Sequence, residues 1–162
     1  YLETPGAIQS AVDLIERASY VLFMGRGPSW PVALEGALKL KELAYIPCDA
    51  YPAGEMKHGP IAMLEEGTPV VVVCPNDAFR EKTLSNIQEV RARGAKVILI
   101  HNHGDSEAVA LADVAIAVPE TDDLLSPLVT VLPLQLLSYQ TALRLGREID
   151  RPRNLAKSVT VE

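Results

Sequence analysis

The stretch EGALKLKE at residues 35–42 places two carboxylates and an amine on one side of a predicted helix. Glu35, Lys39 and Glu42 follow at i, i+4 and i+7, and side chains at these spacings share one helix face. A carboxylate held there could remove a proton from a carbon acid, while the neighbouring ammonium stabilises the developing oxyanion. The same spacing is typical of a solvated stripe with an ordinary Glu–Lys pair, and the pattern alone favours that simpler interpretation.

His58 is a second candidate, in the stretch AYPAGEMKHGP at residues 50–60. It stands between Lys57 and Gly59, at a turn rather than on an apolar face. An imidazole in such a place can exchange protons near neutral pH, although a single loop histidine is more often merely exposed. The residue type and position leave both interpretations open.

Lys157 is a third candidate, in the final stretch RPRNLAKSVTVE. Tails of this kind are commonly disordered, but the alternating Val159 and Val161 indicate that this one docks. A lysine that attacks a carbonyl must be neutral, so its pKa has to fall by desolvation or nearby positive charge. Arg151 and Arg153 could help to supply that charge.

The turn MGRGPSW follows a predicted strand and contains the first two glycines of a dinucleotide-binding fingerprint, Gly25 and Gly27. Trp30 occupies the position of the third glycine, where its bulk prevents the close helix–strand packing that such a site requires. The two glycines therefore indicate an unusual backbone turn. Ser29 and Pro31 fit a helix start there, through side-chain capping and a preset φ.

Two further loops are weak candidates for ligand sites. In CPND, Asn76 and Asp77 stand where a phosphate cradle would carry Ser, Thr and Gly, and the aspartate would repel a phosphate. In HNHGD, His101, His103 and Asp105 form at most a weak metal triad, so we expect an ordinary polar loop and no metal.

The composition is that of one globular domain: 162 residues, 48% hydrophobic and 22% charged. A net charge of −6 argues against nucleic-acid binding. The two cysteines, Cys48 and Cys74, imply no disulfide framework and favour a reducing, cytoplasmic setting, and Cys74 is expected to be a buried strand residue. The start has neither a signal-peptide pattern nor an initiating Met, so we expect a fragment of a longer protein.

Residues 124–143 contain no charged side chain and are long enough to span a bilayer. Six Ser, Thr and Gln residues and two prolines interrupt this stretch, which lowers the favourable transfer energy into lipid. We therefore expect no membrane association and a helix buried at the core or at a subunit interface.

Strand and helix patterns alternate along the chain, which predicts a flavodoxin-like, doubly wound α/β fold with a parallel sheet. All but the second predicted strand are short β-branched runs that read as buried on both faces. Ligands in such sheets bind at the carboxyl ends of strands, here after residues 24, 52, 74 and 101. The predicted strands are 20–25, 48–52, 69–75, 96–101 and 114–119. The predicted helices are 6–18, 30–45, about 55–64, 78–93 and 124–146.

Several segments together resemble the carboxyl-terminal part of the glucosamine-6-phosphate synthase family, also called glutamine–fructose-6-phosphate aminotransferases (isomerizing). The resemblance covers essentially the whole chain and corresponds to the second of two tandem sugar isomerase (SIS) domains. It implies a five-stranded parallel sheet flanked by helices, with the SIS domain over residues 1–150 and a catalytic tail over residues 151–162. The segments are LEGALKLKE, YPAGEMKHGP, NIQEVRARGAKV, VLPLQLLSYQTAL and DRPRNLAKSVTVE.

The resemblance implies a role for the charged stripe. Glu42 matches the base that moves a proton between the first two carbons of the sugar, which turns a fructosimine into the aldose. Lys39 matches a lysine near that step, and Glu35 belongs to the same motif in a supporting role. The implied aldose–ketose shift proceeds by enolisation and needs no metal or organic cofactor.

The resemblance also assigns the two remaining candidates. His58 matches a histidine that assists ring opening and comes from the neighbouring subunit of a homodimer. Lys157 matches the lysine that forms a Schiff base with open-chain fructose 6-phosphate, and the backbone of Ala156 lies against the sugar. Glucosamine 6-phosphate is the implied product.

Two parts of the family's architecture are absent from the sequence. The phosphate-binding Ser/Thr loops belong to the first SIS domain, and ammonia comes from an amino-terminal glutaminase domain. We therefore expect both domains as partners in the parent chain, and little or no synthase activity from these 162 residues alone. The alternative is a non-catalytic sugar-phosphate-binding module, which would need its own phosphate loop but neither Lys157 nor a base at Glu42.

Overall fold

Five parallel strands form the sheet of this protein, as the β-branched runs predict. The structure is a computed structural model that describes residues 5–155. The strand order β2-β1-β3-β4-β5 is the flavodoxin-like order, which confirms the predicted fold class. The strands are β1 (Val21–Gly25), β2 (Cys48–Pro52), β3 (Pro69–Cys74), β4 (Lys96–Asn102) and β5 (Val114–Val118).

Helices cover both faces of the sheet. On one face α1, α2 and α5 build a core cluster around Phe23, while α3 and α4 pack on the other face around Leu99. The α-helices of the described residues are α1 (Pro5–Ile15), α2 (Ser29–Ala44), α3 (Arg80–Arg91), α4 (Ser106–Val109) and α5 (Ser126–Arg144).

The three central strands are almost wholly buried, whereas the edge strand β5 is not. In β5 the side chains of Ile116 and Val118 are buried and the other three are half-buried. The prediction that this run is buried on both faces is therefore wrong. An edge strand has a neighbour on one side only, so part of it stays accessible even under a helix.

The predicted helix over residues 55–64 is also wrong. The chain forms two short 3₁₀ helices instead, Ala53–His58 and Pro60–Met63. Gly59 between them has a φ of 141°, which a continuous helix does not allow. Pro60 explains the break, because its ring disfavours the α conformation for the preceding residue.

The long uncharged segment forms α5, which packs one face against α1 and α2. Leu134 and Leu137 are buried in that core, as predicted for a core helix. The opposite face leaves Leu128 and Leu132 exposed, so the helix is buried on one side only. Within residues 5–155, no helix is long and apolar enough to cross a membrane.

The turn between β1 and α2 shows why two glycines stand there. A Cβ on Gly25 would collide with the backbone carbonyl of Ser29 and lie 3.0 Å from the Trp30 nitrogen. Gly27 has a φ of 50°, so the predicted unusual turn is confirmed. The predicted cap is wrong: Pro28 holds the cap position without a side-chain hydrogen bond, and Ser29 is the first helical residue.

Gly25→Ala is expected to lower the free energy of unfolding by about 1–3 kcal/mol, because backbone atoms rather than a flexible side chain oppose the new methyl group. Urea denaturation followed by circular dichroism measures the effect. Gly6→Ala is the matched control, since a Cβ there meets nothing within 4 Å and the change should be neutral or slightly stabilising. Equal stability of the two variants would contradict the close approach.

Candidate functional site

The charged stripe on α2 forms a tight, partly buried group. The Lys39 Nζ atom lies 2.6 Å from Glu42 Oε2 and 3.8 Å from Glu35 Oε1. Between 27% and 39% of each of these three side chains is exposed. The hydrogen bond to Glu42 raises the pKa of Lys39 above its ordinary value, so the amine stays an ammonium ion at neutral pH. A carboxylate base and a fixed cation therefore stand side by side.

The orientation of the stripe follows from what the rest of α2 buries. Val32, Ala37 and Leu40 lie in the core, and Gly36 sits so close to α5 that a Cβ there would lie 2.8 Å from Leu134. Burial of this face fixes the rotation of the helix about its axis. The carboxylates at i and i+7 must then point away from the core, as the spacing predicts.

Tyr45 ends α2 and connects it with the last described residues. Its φ of 61° is left-handed, and its backbone N–H donates to the Lys41 carbonyl at 3.2 Å. The Tyr45 hydroxyl accepts a hydrogen bond of 2.8 Å from the backbone N–H of Arg153. The guanidinium carbons of Arg153 and Arg147 lie 4.1 and 5.4 Å from the centre of the Tyr45 ring. The chain after α5 thus returns to the end of α2.

A cavity of about 310 Å³ lies where these two segments meet. Glu42 lines it from α2, and Leu155, the last described residue, lines it from the returning chain. Ala156 and Lys157, predicted as site residues, lie outside the described residues. Among the described residues, the lining is Leu38, Lys41, Glu42, Tyr45, Arg153, Asn154 and Leu155.

Glu42 lies at the end of the sheet opposite to the carboxyl ends of the strands, where the sequence predicts ligand binding. Helix α2 starts just after β1 ends at Gly25 and runs back until β2 starts at Cys48. Its last turn is therefore near the amino ends of the strands. The rule that ligands bind at the carboxyl ends does not locate this cavity, because the stripe sits on a helix rather than on a loop.

His58 is exposed and lies at the end of the first 3₁₀ helix. Met56 of that helix belongs to the core on the α3 face of the sheet, and Lys57 bonds to Glu89 of α3 at 2.8 Å. Glu42 belongs to α2, on the other face. Within a single chain, His58 and Glu42 therefore lie on opposite faces of the sheet.

Backbone donors in and just after the CPND loop already bond within the protein. The N–H of Asn76 donates to the side-chain oxygen of Asn102 at 2.6 Å, and the N–H of Phe79 donates to Asp77 at 2.8 Å. Burial raises the pKa of Asp77, yet its carboxyl group still occupies the start of α3. These contacts agree with the prediction that this loop is not a phosphate site.

The HNHGD residues have structural partners. His101 is buried beside the carbonyl of Asn102, at 2.8 Å from Nδ1, and burial lowers its pKa. Asp105 caps α4 and binds Arg80 through both carboxylate oxygens, which lowers the pKa of Asp105. Within the described part of the chain, no group of three or more His, Cys, Asp or Glu side chains could hold a metal.

Sequence reasoning missed Tyr45 entirely and gave Arg153 only an electrostatic role. A tyrosine three residues after Glu42, next to an Ile-Pro pair, carries no motif. The signal that could have found it is weak: an aromatic residue at a helix end and a basic tail can stack, but many such pairs never meet.

Comparison with known proteins agrees with the observed fold. A family model described as "SIS domain" matches residues 14–145. Over 161 residues the chain is 56% identical to a glutamine–fructose-6-phosphate aminotransferase (isomerizing) of Thermus thermophilus, covering 99% of this chain and 27% of that protein. The chain therefore spans about a quarter of the length of this relative.

Solved structures show the same fold. The C-terminal domain of glucosamine-fructose-6-phosphate aminotransferase from Francisella tularensis has a TM-score of 0.86 at 41% identity, over 93% of this chain and 42% of that one. A glucosamine-6-phosphate deaminase from Thermotoga maritima has a TM-score of 0.69 at 28% identity, over 98% of this chain and 47% of that one.

Neither cysteine is expected to react as a nucleophile in the folded protein. Burial raises the pKa of Cys48 to about 11 and that of Cys74 to about 12, so both are neutral thiols at pH 8. A thiol-specific disulfide reagent at pH 8 should label neither cysteine in the native protein and both after unfolding in guanidinium. Native labelling of Cys74 at the rate of a free thiol would contradict this assignment.

Proposed function

The chain belongs to the SIS domain family, and we propose that it is the second SIS half of the isomerase domain in a glutamine–fructose-6-phosphate aminotransferase. In such an enzyme fructose 6-phosphate and glutamine give glucosamine 6-phosphate and glutamate, which supplies amino-sugar biosynthesis. The 56% identity with the Thermus thermophilus relative, over nearly the whole chain, supports this proposal.

Glu42 is the proposed base and Lys39 its electrostatic partner. In the isomerisation step the Glu42 carboxylate takes a proton from C1 of the fructosimine and returns it to C2. The Lys39 ammonium, 2.6 Å from this carboxylate, is close enough to move towards an oxygen that gains negative charge. Glu35, at 3.8 Å from the same ammonium, holds it on the stripe when Glu42 is protonated.

The observation that carries the proposal is that Leu155 and Glu42 line one cavity. Lys157 follows two residues later, so its Cα can be at most about 7 Å from that of Leu155. This distance is short enough for the Lys157 amine to act in the cavity, and the Ala156 backbone is proposed to lie against the sugar. The Arg153 guanidinium at the cavity wall favours the neutral amine that Schiff-base formation requires.

His58 is proposed to act in the site of a neighbouring subunit of a homodimer. This assignment is supported by its exposure and by the separation of its helix from α2 across the sheet. An exposed imidazole is available to a second chain, where the proposed partner is the ring oxygen of a bound sugar.

The remaining parts of the reaction are proposed to lie elsewhere in a longer chain. The occupied donors of the CPND loop support a phosphate site in a first SIS domain, and a glutaminase domain would supply ammonia. The division into residues 1–150 and a catalytic tail at 151–162 belongs to this proposal. The cytoplasmic location and the inactivity of the isolated 162 residues are also parts of this proposal.

Borohydride trapping tests the proposed chemistry in the complete gene product that contains these residues. Lysine addition to the fructose 6-phosphate ketone releases water and leaves an imine, which borohydride reduces to a stable secondary amine. We expect mass spectrometry to find the adduct at Lys157 and Lys157→Ala to abolish it. Glu42→Gln should keep the adduct but lower glucosamine 6-phosphate formation by about 10²- to 10⁴-fold.

Lys82→Ala and Glu65→Gln are the matched controls, because both side chains are exposed and neither lines the cavity. An adduct that survives Lys157→Ala contradicts the assigned lysine. Binding of fructose 6-phosphate without any adduct contradicts catalysis by this chain and favours a non-catalytic sugar-phosphate-binding module.

Mixed dimers test the position of His58. The Glu42→Gln and His58→Ala variants should each be nearly inactive alone. After joint unfolding and refolding they should recover about a quarter of wild-type activity, because half of the dimers are mixed and each of those has one intact site. No recovery in verified mixed dimers would place His58 and Glu42 of one chain in the same site and contradict the assignment.

A further inference from the structure

We propose that Tyr45 is a positioning residue that anchors residues 152–155 at the wall of the cavity that Glu42 lines, and that the reaction proposed for Lys157 depends on this anchor. The inference rests on the proposed function and extends it to a residue that does not touch the reacting atoms. It is carried by three observations: the backbone conformation of Tyr45, the contacts of its side chain, and the turn that those contacts hold.

The backbone of Tyr45 is unusual for its residue type. Its φ of 61° and ψ of 27° are left-handed, and glycine or asparagine normally takes this position after a helix. A glycine would end α2 with the same 3.2 Å hydrogen bond to the Lys41 carbonyl and without steric cost. The helix end therefore gives no reason for a tyrosine, and the explanation has to lie in the side chain.

The side chain makes two kinds of contact with the returning chain. Its hydroxyl accepts the backbone N–H of Arg153 at 2.8 Å, and the Arg153 guanidinium lies over the ring at 4.1 Å. Arg147, just after α5, approaches the same ring at 5.4 Å. Within residues 5–155, no other hydrogen bond joins residues 151–155 to the rest of the domain.

The anchored residues form a turn that sets the direction of the chain. The N–H of Leu155 donates to the Pro152 carbonyl at 3.4 Å, and Asn154 has a φ of 62°, as the third residue of a type II turn does. Leu155 then lies at the wall of the cavity that Glu42 lines. Loss of the Tyr45 contacts would free the turn at the cavity wall, and the reaction proposed for Lys157 would then lose productive encounters.

Two variants of Tyr45 separate positioning from folding. Tyr45→Phe keeps the ring under the arginines and removes the hydroxyl acceptor. Tyr45→Gly removes all side-chain contacts but suits the left-handed backbone, so the helix end is preserved. Tyr139→Phe is the matched control, because Tyr139 lies 42% exposed on α5 and away from the cavity.

The measurements use the complete gene product: thermal unfolding, the rate of borohydride-trapped adduct at saturating fructose 6-phosphate, KM and kcat. We expect Tyr45→Phe to slow trapping by roughly 3- to 10-fold, which corresponds to the loss of one hydrogen bond. Tyr45→Gly should slow trapping further, because it also removes the ring contacts. KM for fructose 6-phosphate and the unfolding temperature should stay close to the wild-type values. Amide hydrogen exchange at Arg153 should be faster in both variants.

Wild-type trapping rates in both Tyr45 variants, with the adduct still at Lys157, would overturn the anchor and leave the proposed function intact. A loss of trapping that only follows a loss of folded protein would overturn it as well. Absence of a Lys157 adduct in the wild-type protein would instead refute the proposed function, and the anchor with it. Unchanged exchange at Arg153 would contradict the hydrogen bond itself.

Discussion

The packing of α2 between β1 and α5 is the interaction on which the proposed site depends. Gly36 lets the helix approach Leu134 closely, and Gly25 lets its first turn follow directly on the strand. Together these contacts fix the distance of α2 from its neighbours and its rotation about its own axis. The stripe Glu35–Lys39–Glu42 then faces outward, and the helix ends where the returning chain can meet it.

The charged groups of the proposed site lie in two regions, the stripe on α2 and the end of the same helix. On α2, two carboxylates surround the Lys39 ammonium, which holds the cation in place without a costly burial of charge. At the helix end, the Arg147 and Arg153 guanidinium groups approach the Tyr45 ring, and Arg153 brings positive charge to the cavity wall. The stripe that carries the proposed base and the Lys39 cation thus lies next to a positively charged cavity wall, which supports the neutral Lys157 amine that the proposed reaction requires.

Much of the fold could be predicted from the sequence because its signals are local. The β-branched runs are bounded by turn residues, so the predicted strand ends lie within one residue of the observed ones. The predicted helix over residues 55–64 was wrong because Pro60 interrupts the helical pattern. The predicted burial of β5 was wrong because this strand lies at the edge of the sheet. The stripe was visible as a spacing, but the contact between Tyr45 and Arg153 joins residues 108 apart and has no local signal.

The central claim is that the Lys157 amine and the Glu42 carboxylate meet in one cavity. A crystal structure of the complete gene product with bound fructose 6-phosphate measures this most directly. The account predicts an ordered tail, with the Lys157 nitrogen and a Glu42 oxygen each within about 3–4 Å of C1 or C2 of the same sugar. An ordered tail that carries Lys157 away from Glu42 would contradict it.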